Sequence, residues 1–283
     1  MCGRFACYLC PDDIREQISR DYPDTQTLPA DTDHFTPSYN IAPSQSIPVI
    51  YEDLQGQYHL KLMTWGFVSS KATGINIHPN NVRKETLLQQ AVFFDRAKRD
   101  RRCIIIAQGF YEWKTKGAQK VPYYTKRKDG KLMLFAGLYD IHQINNSPKY
   151  TCAICTTPAS DYFSTIHKRM PAILDQQHIK SWLSKDVRWT VQLASTLKPY
   201  QGELDCFRVT NKVNYTRNDE SDLIKPLDES KQSIFKFLAK QDSILPPEKA
   251  TTTTTKGQAK VVKKSKPKAS GNGLLRITDY FNT

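Results

Sequence analysis

The alternation of apolar and polar positions predicts many short strands and a few amphipathic helices. Gly3 to Tyr8 has the character of a strand. After Pro11-Asp12-Asp13, Ile14 and Ile18 lie four apart on one face of a helix that starts at the acidic pair and ends near Tyr22. Ser46–Tyr51 and Tyr58–Trp65 predict two further strands, Cys103–Ala107 a strand buried on both faces, and Lys149–Thr157 another. Val121–Lys126 and Leu132–Leu138 flank Asp129-Gly130 and predict a hairpin. Leu87, Leu88, Ala91 and Val92 predict a helix running into Arg96, Lys98, Arg99, Arg101 and Arg102, and Ile179–Leu183 a shorter one. Pro23–Phe35 reads as loop, as does Pro37–Gln45, whose prolines break any regular period. Val209–Asn218 returns to strand and loop, and Ile234, Phe235 and Leu238 predict a closing helix.

The body of the chain, residues 2–240, reads as one globular domain. From residue 241 the composition changes to Thr251–Thr255, scattered lysines and few apolar side chains, which predicts a disordered basic tail over 241–283. That tail ends in an apolar cluster, Leu274 to Phe281, which a disordered linker has no need of and which reads as a docking peptide.

No apolar run approaches the roughly 18 residues of a membrane span, and the N-terminus lacks the basic-then-apolar order of a secretory leader. A nuclear or cytoplasmic location is expected, with no membrane partner. Seven Cys in such a chain point to reduced thiols. The formal charge of +13 favours a polyanionic partner, nucleic acid first. The tail from Gln241 holds eight Lys+Arg and three Asp+Glu, so +8 of the excess belongs to the body.

The candidate chemistry starts at Met1-Cys2-Gly3-Arg4. The small Cys2 side chain favours removal of the initiator Met, which leaves an α-amine and a thiol on one carbon skeleton. An amine of pKa about 7.7–8.0 condenses with an aldehyde, and a thiol of pKa about 8.5 closes on the imine carbon to give a thiazolidine. Glu112 lies among Phe110, Tyr111 and Trp113, where a carboxylate is poorly solvated and suited to proton transfer, unless it points outward from an alternating strand. His167, between cations and Pro171, reads equally as structural or catalytic. Trp65 reads as core or as a stacking face for an unpaired base. The basic cluster from Arg96 to Arg102 reads as a solvated helix end or a phosphate contact. Cys7-x2-Cys10 and Cys152-x2-Cys155 have the spacing of a zinc site, although the second pair lies in a strand, where residues three apart face opposite sides.

Taken in order, Met1-Cys2-Gly3-Arg4, Tyr39-Asn40-Ile41-Ala42-Pro43, Trp65-Gly66, Asn81-Val82-Arg83-Lys84-Glu85-Thr86, Gly109-Phe110-Tyr111-Glu112-Trp113 and His167-Lys168-Arg169-Met170-Pro171 resemble the SRAP family (SOS-response-associated peptidase), and within it the eukaryotic abasic-site processing proteins. The resemblance covers roughly residues 2–227. It implies an α+β, SRAP-like domain with a curved, barrel-like antiparallel sheet flanked by helices, and a basic channel for single-stranded DNA with Cys2 at its floor. It also implies an abasic-site sensor that forms a covalent thiazolidine DNA–protein crosslink, a lyase-like activity. Without a phosphate-loop or paired-histidine motif no cofactor or metal is expected, and a domain that takes in one DNA strand has no evident need of a partner subunit, so a monomer is expected.

Carried over by position, Cys2 is the nucleophile and Glu112 the proton-transfer residue, while Asn81 and His167 position the opened sugar. Arg4, Arg83 and Arg169 hold phosphates, Trp113, Pro43 and Trp65 pack against bases, and Asn40 joins the DNA contacts. Phe67-Val68-Ser69-Ser70-Lys71 and Lys84 depart from the family pattern. Leu274, Ile277, Tyr280 and Phe281 resemble the peptide that binds the replication sliding clamp, with Leu274 where Gln is usual. A thiol autopeptidase is the alternative reading, and a zinc or nucleic-acid binding module a third.

Overall fold

The apolar run Cys103–Ala107 becomes a central stave of a closed sheet. The computed structural model describes residues 2–25, 28–29, 32, 34–69, 77–89 and 92–228. Its first strands are β1 (Phe5–Cys7), β2 (Leu28–Pro29), β3 (Ser38–Ile41), β4 (Ser46–Glu52), β5 (Tyr58–Trp65) and β6 (Asn81–Arg83). They are followed by β7 (Arg102–Ala107), β8 (Gly109–Lys116), β9 (Gln119–Arg127), β10 (Met133–Ile144), β11 (Ser147–Pro158), β12 (Arg169–Pro171) and β13 (Leu204–Arg208). β5, β4, β7, β10 and β11 pair antiparallel in that order, and β11 returns to β5 through the parallel pairs Thr151↔Thr64 and Cys152↔Trp65. The ring leaves its staves no open edge, which explains why β7 is buried at every position. The α+β expectation with a barrel-like sheet holds, with the closing pair parallel.

Where the ring closes, the Gly66 N–H donates to the Cys152 carbonyl oxygen at 2.9 Å. Gly66 then leaves β5 with a φ of 145°, a conformation that favours glycine. The Trp65-Gly66 pair is thus a barrel seam.

A second, five-stranded sheet runs β13-β9-β8-β1-β3. Its strands β1 and β8 feed two cores by simple alternation. Phe5 and Phe110 belong to the large core with Cys2, Trp65 and Phe135, whereas Ala6 and Tyr111 belong to a smaller one with Tyr124, Val209 and Val213. Close packing explains Gly109: a Cβ there would meet the Tyr124 ring at 2.4 Å. The first helix, Pro11–Asp21, begins with Pro at its start and the Cys10 sulfur accepting from the Asp13 N–H. It buries Ile14 and Ile18 completely, each contributing about 1.5–3 kcal/mol.

Some expected elements differ. β9 pairs with β8 and β13, not with β10, so the hairpin around Asp129-Gly130 does not form. The hairpins are β4–β5 around Gly56, β8–β9 around Gly117 and β10–β11 around Asn145-Asn146, where both asparagines have positive φ. Ser38–Ile41 is a strand because it completes the edge of β1. The helix expected from Leu87 to Val92 is two pieces, Lys84–Leu88 and Asp95–Asp100, and both Leu88 and Val92 are exposed. Arg102 is not a phosphate contact: it is 2% exposed and donates to the carbonyls of Trp182, Lys98, Arg99, Ser184 and Val187.

The chain divides into Met1–Glu229 and Ser230–Thr283. The predicted closing helix, the linker and the terminal peptide Leu274, Ile277, Tyr280 and Phe281 lie outside the described residues. Among the described residues no helix is long and apolar enough to cross a membrane. The thiols of Cys7, Cys10, Cys152 and Cys155 are not gathered into one cluster, so the zinc reading of the two pairs lacks its geometry.

Candidate active site

β1 lies between β8 and β3, so the residues leading into it are held from both sides. Phe5 pairs with Phe110 and Ile41, and the Tyr111 N–H donates to the Arg4 carbonyl oxygen at 2.9 Å. Cys2 leads into this doubly flanked strand and is fully buried. Its thiol lies 3.7 Å from the Arg4 carbonyl oxygen. Asn81, at the start of β6, donates from Nδ2 to the Cys2 carbonyl oxygen at 2.6 Å. β6 is placed by parallel pairing of Asn81 with Ile154 on β11. Asn81 Oδ1 is buried and accepts no hydrogen bond among the described residues.

Glu112 follows Phe110 by two, so alternation turns it toward the core that contains Cys2 rather than outward. It is 3% exposed. Burial pushes the Cys2 thiol well above its ordinary range, and the nearby Glu112 charge adds to that push. His167 Nδ1 stands 3.8 Å from Glu112 Oε1. Glu112, Trp113, Lys120, His167 and Asn214 line a cavity of about 500 Å³. A buried carboxyl and a more exposed imidazole therefore face each other between Cys2 and an open cavity, an arrangement that can pass a proton inward or outward.

The residues assigned to DNA divide into two groups. Pro43 and Arg83 are exposed, and Trp113 is half-buried at the cavity with its indole N–H donating to Asn214 Oδ1 at 2.7 Å. Arg4 and Asn40 instead face inward. Arg4 donates to Asn40 Oδ1 at 2.8 Å and to the Val213 carbonyl at 2.7 Å, and burial pulls its guanidinium below the usual range. Asn40 is 1% exposed, and its Nδ2 donates to the carbonyls of Val213, Tyr215 and Asn218. Asn40 therefore bolts the 211–218 segment to β3 and is not a DNA contact. Trp65 is also corrected: it is fully buried, its indole N–H donates to the Asn80 carbonyl at 2.8 Å, and it offers no stacking face. Arg169 is engaged by Glu85 and Thr156.

Sequence reading missed Lys120 and Asn214. Lys120 lies on an ordinary alternating strand. Asn214 occupies a one-turn 3-10 segment, Asn211–Asn214, that tertiary bonds from Arg4 and Asn40 and the burial of Val213 hold in place.

A closed five-strand ring with a second sheet that buries an N-terminal-region cysteine beside a carboxyl–imidazole pair defines an α+β domain built around Cys2. The family model for SOS response associated peptidase (SRAP) matches residues 1–216, and the chain belongs to that family. It is 36% identical over 229 residues to the abasic site processing protein YoaM of Bacillus subtilis, covering 79% of this chain and 97% of that one. It is 30% identical over 275 residues to the abasic site processing protein YMR114C of Saccharomyces cerevisiae, covering 87% of this chain and 73% of the relative. A crystal structure of a Bacteroides thetaiotaomicron protein shares the fold, with a TM-score of 0.68 at 21% identity over 80% of this chain and all of that one.

Proposed function

We propose that this chain processes abasic sites in DNA, and that it does so by capturing the ring-opened sugar of single-stranded DNA with Cys2 after Met1 is removed. The names of its relatives point to the lesion. The observation that carries the chemistry is the fully buried Cys2, its carbonyl held by Asn81, beside the Glu112–His167 pair.

The order of steps follows from the thiol. Because burial holds Cys2 protonated, the α-amine is the first nucleophile. Its nitrogen adds to the aldehyde carbon, the carbonyl oxygen leaves as water, and an imine forms. The sulfur then bonds to the imine carbon while its proton passes to the nitrogen, so aldehyde plus Cys2 yields thiazolidine plus one water. In this reading Glu112 relays the thiol proton toward the nitrogen, and His167, on the cavity side, exchanges protons with the sugar oxygens; the nearness of Glu112 to Cys2 and to His167 supports it. The buried acceptor Asn81 Oδ1 suits a sugar hydroxyl. Trp113 at the cavity offers an aromatic ring to a neighbouring base, a contact that tolerates any sequence and favours unpaired strands.

Denaturing electrophoresis of the Met-processed protein with single-stranded DNA bearing one abasic site tests this reading. The expected result is a denaturation-resistant band that is absent with intact DNA and with Cys2→Ala. Absence of the band from protein whose N-terminus is confirmed as Cys2 would overturn it, and peptide cleavage by Cys2 would then be the activity to assay.

A further inference from the structure

His167 is anchored by one neighbouring residue in two ways. Its Nδ1 lies 3.0 Å from the Arg169 carbonyl oxygen and 3.1 Å from the Arg169 main-chain nitrogen. A protonated Nδ1 donates to the carbonyl; a bare Nδ1 accepts from the N–H. The ring keeps an anchor in either state, so its proton can move without the ring turning. That property depends on where the Arg169 main chain is held.

The Arg169 side chain fixes it. Its two terminal nitrogens donate to Glu85 Oε1 at 2.8 Å and Oε2 at 3.0 Å, and one of them also donates to the Thr156 carbonyl at 2.8 Å and to Thr156 Oγ1 at 3.3 Å. A bidentate arginine–carboxylate pair fixes orientation as well as distance. Arg169 is 14% exposed and Glu85 48%. Glu85 sits in the first turn of the helix Lys84–Leu88, which continues directly from β6 and hence from Asn81. One carboxylate thus ties the element that holds the Cys2 carbonyl to the element that holds His167.

We propose that Glu85 is a positioning residue for the site: it touches no reacting atom, but through Arg169 it sets the ring of His167 and joins it to the Asn81–Cys2 side. Arg169 serves first as this link, and the exposed Arg83 is the arginine presented to phosphate. The ionisable groups that face His167 are Glu112 from β8 and Lys120 from β9, with Lys168 and Arg169 on its own segment. Behind Arg169 stand Glu85 and Arg83, whose charge acts on Glu85. The inference rests on the proposed capture reaction for its effect on rate, but not for its effect on the imidazole.

The test uses the full Met-processed chain as wild type, Glu85→Ala and Glu85→Asp, each checked for a native thermal unfolding transition. Imidazole nitrogen NMR reads the tautomer and titration of His167. In parallel, single-turnover crosslinking to abasic single-stranded DNA is followed across pH. Glu85→Ala is expected to change the His167 tautomer balance and titration midpoint. It should slow crosslinking about tenfold with a displaced pH profile, as a small misplacement of a proton-transfer group does. Glu85→Asp should recover part of both. An unchanged His167 titration in folded Glu85→Ala, or a rate loss equal at every pH, overturns the proposal. If the wild type forms no crosslink, the capture reading fails by itself, and the NMR comparison still decides whether Glu85 positions His167.

Discussion

Asn81 Nδ2 donates to the Cys2 carbonyl oxygen at 2.6 Å, a bond that joins residues 79 apart in sequence. It fixes the main chain of the residue whose amine and thiol both have to reach one carbon. Removing it frees that chain by rotation about its own bonds, without opening the core that Phe5 and Phe110 close. Asn81→Ala is therefore expected to slow single-turnover capture of an abasic site by about 10–100-fold, since misplacement of reacting groups by an ångström costs rate on that scale. Asn81→Asp should be worse, because a carboxylate oxygen then faces the carbonyl oxygen with no proton between them. Rapid-quench electrophoresis would measure both variants.

Trp65 provides a contrast between packing and recognition. Fully buried at the barrel seam and bonded to the Asn80 carbonyl, it has no face for a base. Trp65→Ala is expected to cost about 3–5 kcal/mol of stability in guanidinium unfolding. The DNA affinity of the remaining folded fraction should stay near that of the wild type. Weaker binding at unchanged stability would restore the stacking role that its position in the sequence first indicated.

The Glu85–Arg169 pair makes a pH prediction. Burial pushes the Glu85 carboxyl up, but the hydrogen bonds and charge of Arg169 outweigh that push and hold it below its ordinary value. A depressed folded pKa contributes stability that is fully present above the unfolded value of about 4.3 and is lost as pH falls through the folded value. Glu85→Gln is accordingly expected to be less stable than wild type at neutral pH. With half the carboxylate in water, the difference should be less than about 1 kcal/mol. It should shrink as pH drops below about 4.3, and urea unfolding along a pH series would show it.

The difference between what was legible in the sequence and what was not has a physical basis. β7 and the buried part of β11 were legible because runs such as Cys103–Ala107 and Cys152–Cys155 follow from burial alone. The partners of β9 and β10 were not, because Asp129-Gly130 permits a hairpin but cannot require one, and pairing is decided by which faces the two cores bury. At the site, Cys2, Glu112, Asn81 and His167 were read from residue type and motif, and the structure gathers them. Asn40, Trp65 and Arg102 were misread for one shared reason. A polar or aromatic side chain in a basic protein looks available to DNA until its hydrogen bonds are counted, and theirs are taken by main-chain carbonyls.

Trp113 and Asn214 give the remaining test, since neither motif nor period links them. The indole N–H donates to Asn214 Oδ1 at 2.7 Å, and the 3-10 turn carrying Asn214 is held in turn by Arg4 and Asn40 through the Val213 carbonyl. The ring thus borders the cavity in a fixed orientation instead of choosing among rotamers when DNA arrives. Ordering the ring in advance spares part of the entropy that binding otherwise spends on it. Trp113→Ala is expected to weaken binding of single-stranded DNA by about 1–3 kcal/mol, the range for loss of one base–aromatic stack. Asn214→Ala, which keeps the ring but frees it, should lose a smaller part of that affinity. Combining the two should cost no more than Trp113→Ala alone, because Asn214 acts only through the ring. Fluorescence anisotropy on the four proteins closes this cycle. Additive losses would mean that Asn214 meets the strand itself, and the cavity wall would then be two independent contacts instead of one positioned ring.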